Sequence, residues 1–106
     1  MTLNNDVNEL YANLLAFKQI LVNSNDDHTA IEMDNARYYI DAALENLSGI
    51  HTNIKGLTEL KNYIDVDILT FWRILQRCKN IRNINGILAM LDQDLKAIDQ
   101  YRKKIS

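Results

Sequence analysis

At 106 residues, 47% apolar and 25% charged, the chain has the size of one domain and an ordinary globular composition, which excludes an intrinsically disordered protein. Proline is absent and glycine occurs only at Gly49, Gly56 and Gly86, too few turn formers for a sheet-rich domain, so long helices with few connections are expected. The net charge of −2 gives no large basic field, and the single cysteine, Cys78, excludes an internal disulfide.

The first helix is predicted from about Asn5 to Asn23. Its apolar residues Leu3, Val7, Leu10, Leu14, Phe17 and Leu21 alternate spacings of four and three, which places them on one stripe, the a and d positions of a heptad. The run Asn23-Ser24-Asn25-Asp26-Asp27 favours a turn after it. A second stripe follows through Met33, Ala36, Ile40, Ala43, Leu47, Ile50, Ile54 and Leu57, with Asp27 or Thr29 suited to cap its start. Gly49 and Gly56 each weaken a helix by about 1 kcal/mol relative to alanine. The second helix is therefore expected either to break near Gly56 or to continue to about Tyr63.

Beyond that point the register slips. Asp65 and Asp67 are placed as N-caps of a third helix with Ile68, Phe71, Leu75 and Cys78 on its seam. A fourth stripe runs through Ile84, Leu88, Leu91, Leu95 and Ile98 to Ile105, with Arg102 in the one seam position that is not apolar. Asn85-Gly86 reads either as the turn between the last two helices or as part of one uninterrupted helix. The expected architecture is all-α, a single domain over residues 1–106, an antiparallel up-down-up-down four-helix bundle. The alternative is a three-helix bundle with one long helical hairpin.

The constellations that carry catalysis are missing, so no enzyme and no cofactor are expected. A carboxylate-bridged di-metal site needs a Glu three residues before each of two histidines, whereas His28 and His51 have Asn25 and Ser48 there. His28 with Glu32 offers two ligands at i,i+4, short of the four of a zinc site. Cys78 falls on a seam, where burial keeps a thiol inert. The glycines are solitary, which excludes a phosphate-cradling loop, and Asp65/Asp67 and Asp92/Asp94 lack the further ligands of a calcium loop.

The charges are unevenly divided. Residues 1–53 hold eight acids against Lys18 and Arg37, and residues 54–106 hold ten Lys and Arg against six acids. Either acidic early helices lie beside basic late ones and offset them, or the molecule presents a two-faced surface. The favoured expectation is the offset.

By elimination the sequence reads as a non-catalytic protein-binding module, of the kind found among small adaptor, chaperone, immunity or inhibitor-type helical bundles, an analogy of architecture without a motif. The candidate partner-binding residues are Tyr38, which falls opposite the core among Asp34, Asp41 and Glu45, and the cluster Phe71, Trp72, Arg73 and Arg77, because aromatics and arginine anchor interfaces. The expected occupant is another protein, such as an amphipathic helix, or a second copy. A competing reading assigns Arg73, Arg77, Asn80 and Arg82 to the phosphates and bases of a nucleic acid, against a sequence pI near 5.6. No secretory signal is visible in MTLNNDVNEL and no apolar run approaches a membrane span, so a cytoplasmic protein is expected.

Overall fold

Heptad stripes have no partner within their own helix, so each must be covered by other helices. In the computed structural model they cover one another. The structure describes residues 2–23, 30–50, 55–77 and 84–105, with side chains at 5–23, 31–50, 58–77 and 84–103. Among these residues four helices occur: α1 (Thr2–Asn23), α2 (Ala30–Gly49), α3 (Lys55–Arg77) and α4 (Ile84–Ile105). Each packs against its neighbour in the chain, and α4 closes the ring against α1, which is the up-down-up-down order of a four-helix bundle. None of the four is long and apolar enough to cross a membrane.

The stripes of α1 and α2 become core as their spacing predicts. Val7, Leu10, Leu14, Phe17 and Leu21 meet Met33, Ala36, Ile40, Ala43 and Leu47, all buried. Ala36 and Ala43 are small, and α1 and α2 share the most extensive interface of the four. Its margin is polar and internally satisfied: Asn13 donates to Asn46 Oδ1 (2.7 Å), and Asn46 donates to Glu9 Oε2 (3.1 Å). Across the diagonal, Phe17 of α1 meets Phe71 of α3 with ring centroids 5.6 Å apart and planes tilted by 42°.

Three sequence expectations are corrected. The chain leaves the second helix at Gly49, ahead of the expected break near Gly56, and Ile50 N–H closes onto the Leu47 carbonyl at 3.1 Å. The end of α2 is completed from α3, where Lys61 Nζ donates to the Ile50 carbonyl at 3.1 Å. Glycine suits position 49 because a Cβ there would stand 3.1 Å from Asp6 Oδ2 of α1.

Asp65 and Asp67 do not cap α3. They lie in its middle, because α3 already runs from Lys55. The register slip is real, but it is not a chain break. Leu60, Ile64, Ile68 and Phe71 are spaced four, four and three, a stutter that a continuous helix absorbs by a small change in winding.

Asn85-Gly86, likewise, lies inside the first turn of α4. The buried stripe of α4 is Ile87, Leu91, Ile98 and Tyr101, with Leu95 at its edge, so Tyr101 and not Arg102 completes the seam. Arg102 instead lies over the Tyr11 ring of α1, 4.2 Å from its centroid. The expected caps Asp27 and Thr29 lie outside the described residues.

Candidate functional site on the outward face of α2 and α3

A bundle has four outward helix rows, and these four differ. Exposed large apolar side chains among the described residues are Leu15 and Val22 on α1, Ile31 and Tyr38 on α2, and Tyr63, Val66 and Trp72 on α3. None is on α4. Ile31 (73% exposed) and Tyr38 (68%) stand seven residues apart, on one line of α2 facing away from the core. Among the described residues, the Tyr38 ring meets Tyr39 of its own helix edge-on at 5.3 Å. Val66 (64% exposed) projects outward from α3.

Trp72 leans from α3 toward α2 and is 36% exposed. Its indole N–H donates to Asp41 Oδ1 at 3.0 Å, so one ring edge is tied down and the rest stays at the surface. One turn further, Arg37 of α2 donates from Nε to the Leu75 carbonyl of α3 at 3.0 Å. The same guanidinium pairs with Asp34 at 2.9 Å. These two contacts fix the relative height of the helices. Arg73 stands level with Tyr38 and Asp41, and Arg77 level with Asp34.

Of the predicted contact set, the structure leaves Tyr38, Trp72, Arg73 and Arg77 exposed on the adjacent helices α2 and α3 and buries Phe71. Phe71 is fully buried against Phe17, because it lies on the inward stripe that continues from Ile64 and Ile68. Asn80 and Arg82, like Cys78, His28 and His51, lie outside the described residues. Among those described, no three of His, Cys, Asp and Glu converge as metal ligands.

The acidic α2 lies beside α3, which carries Arg73 and Arg77, without an ion pair between Asp34, Asp41 or Glu45 and these arginines among the described residues. The ion pairs Lys18–Asp92 (2.6 Å), Arg37–Asp34, Arg102–Asp99 (3.7 Å) and Lys103–Asp99 (3.4 Å) join no early acid to a late base. Glu45, Arg73 and Arg77 are exposed and take part in none of them. The outward face of α2 and α3 therefore carries an acidic row, Asp34, Asp41 and Glu45, beside a basic row, Arg73 and Arg77, with aromatic and aliphatic side chains between.

A second feature was missed in the sequence. Asp94 of α4 is fully buried, and neither of its carboxyl oxygens has a hydrogen-bond donor among the described residues. Burial, then the neighbouring Asp67 carboxyl on α3, which favours the protonated form through its charge and as a hydrogen-bond acceptor, push its pKa up to about 8. Two ionised carboxylates are acceptors only, so the pair bonds when it holds a proton. The α3–α4 contact that contains it is the least extensive of the four. Ile87, Leu91, Asp94, Ile98 and Tyr101 alternate four and three, a seam with one acid in it.

No protein-family model, curated protein or solved structure matches this chain.

Proposed function

We propose that this chain is a non-catalytic protein-binding module that engages its partner through the outward face of α2 and α3. The observation that carries the reading is the concentration of Ile31, Tyr38, Val66 and Trp72 on two adjacent helices beside Arg73 and Arg77. Partly exposed aromatics and arginines supply most of the binding energy in protein interfaces, where they fill pockets and exclude water. Trp72 is already oriented by Asp41, which lowers the entropy lost when it is covered.

The test is capture from a lysate of the native host by the wild-type chain and by a Tyr38→Ala, Trp72→Ala double variant, read by mass spectrometry. The proposal expects specific proteins to be retained by the wild type and lost by the variant. Identical captured sets would remove this face from consideration.

The nucleic-acid reading draws less support. Asp34, Asp41 and Glu45 place negative charge beside the arginines that would meet phosphates. Binding that is present at low salt and falls steeply with ionic strength would restore it.

A further inference from the structure

The acidic row on α2 and the basic row on α3 are not merely adjacent. They are at matching heights, and this bears on what covers them. We infer that the occupant is a second copy of this chain, docked through α2 and α3 about a two-fold axis parallel to the bundle. This rests on the protein-binding reading of the same face and names its partner.

A rotation about such an axis lays α2 of one molecule over α3 of the other without changing height along the bundle. The heights come from two contacts within one chain, Trp72 with Asp41 and Arg37 with the Leu75 carbonyl. Arg73 of one copy then arrives beside Asp41 and the Tyr38 ring of the other, and Arg77 arrives beside Asp34. The two-fold axis makes each of these contacts twice. An axis perpendicular to the helices would instead lay acid on acid and arginine on arginine, so the charges select one arrangement.

Within one molecule Asp34 pairs with Arg37 and Asp41 accepts from Trp72, and neither takes an arginine of the α3 row. Arg73 points outward from α3, and among the described residues neither Arg73 nor Arg77 has an ion-pair partner. Tyr38 and Trp72 supply the apolar centre that such charges would rim. The body measures 41 × 21 × 19 Å.

The experiment is sedimentation equilibrium on the full chain across micromolar to millimolar concentrations at low salt. The mass should rise from 12.3 kDa toward twice that value. Two charge-reversed variants follow, Arg73→Glu with Arg77→Glu, and Asp34→Lys with Asp41→Lys. All four positions are exposed, and circular dichroism checks that each variant folds. Each alone should remain monomeric, with dimerisation weakened at least tenfold, because both symmetric contacts become repulsive. Mixed in equal amounts they should form a heterodimer, because every contact is again between opposite charges.

A wild-type chain that stays at 12.3 kDa throughout overturns the dimer. So does a dimer that survives in both variants, or a mixture that fails to associate when the wild type does. Failure of the dimer leaves the broader reading to the capture experiment, which fails separately if Tyr38 and Trp72 prove dispensable there.

Discussion

Replacing Asp94 with asparagine should stabilise the protein at neutral pH, although it alters one of its most buried side chains. In the unfolded chain Asp94 releases its proton near 3.8, whereas in the folded chain it holds the proton up to about 8. Between those values the folded state binds a proton that the unfolded state has lost, so stability falls as pH rises through the window and levels off above it. Each tenfold difference in proton affinity is worth about 1.4 kcal/mol, so the cost at pH 7 reaches at most about 4 kcal/mol. Asparagine carries no charge to desolvate, and its amide can donate to Asp67. The assay is urea unfolding followed by circular dichroism, for wild type and Asp94→Asn, from pH 4 to pH 9. With a slope of about 1–2 kcal/mol/M, the variant's midpoint at pH 7 to 8 should be higher by roughly 2 M. The difference should shrink toward zero near pH 4, where both side chains are neutral. Parallel pH curves, or a variant weaker than wild type at pH 8, would refute the idea that Asp94 tolerates its burial by keeping its proton.

Three further outcomes follow from the packing. Phe71→Ala, which empties the diagonal contact with Phe17, should cost about 3–5 kcal/mol in the same assay. Trp72→Phe keeps most of the ring but loses the hydrogen bond to Asp41, so unfolding measurements should show a loss of only about 0.5–1.5 kcal/mol. Arg37→Met keeps an apolar stem but strips the Leu75 carbonyl of its side-chain donor. Hydrogen exchange at the last turn of α3 should quicken, with about 1 kcal/mol lost overall.

The fold was legible because its strongest determinant is periodic. The a/d stripes of α1 and α2 name the buried residues almost one for one, since a helix rotates by a fixed angle per residue and the core needs one face. The helix ends were harder to read, for an identifiable reason. A seam that continues through Ile50 and Ile54 looks like an unbroken helix, whereas the chain turns where Gly49 lets Asp6 approach and Lys61 reaches the Ile50 carbonyl. Both contacts come from other helices and leave no trace in local spacing.

The same limit applies to the candidate surface. The sequence places Tyr38 opposite the core and puts Trp72, Arg73 and Arg77 on one helix, but it cannot say that α2 and α3 are neighbours or at what heights they lie. Phe71 was grouped with Trp72 because they are adjacent in the chain, yet adjacent helical residues point about 100° apart. The burial of Asp94 is not legible in the spacing because a stripe through Leu88 and Arg102 competes with the true one through Ile87 and Tyr101, and hydrophobicity alone favours the stripe without an acid.

The closing of the ring by α4 against α1 has a consequence for connectivity. Three of the four helix interfaces join segments adjacent in the chain, but the fourth is held by side chains alone, among them Lys18 with Asp92 and Arg102 over Tyr11. The beginning of α1 and the end of α4 therefore lie at one end of the body on touching helices. A covalent bridge between them would complete a circle of four hairpins, and the chain could then be opened at a different corner. The bundle's identity resides in the cyclic order of its helices, not in which of them the ribosome makes first.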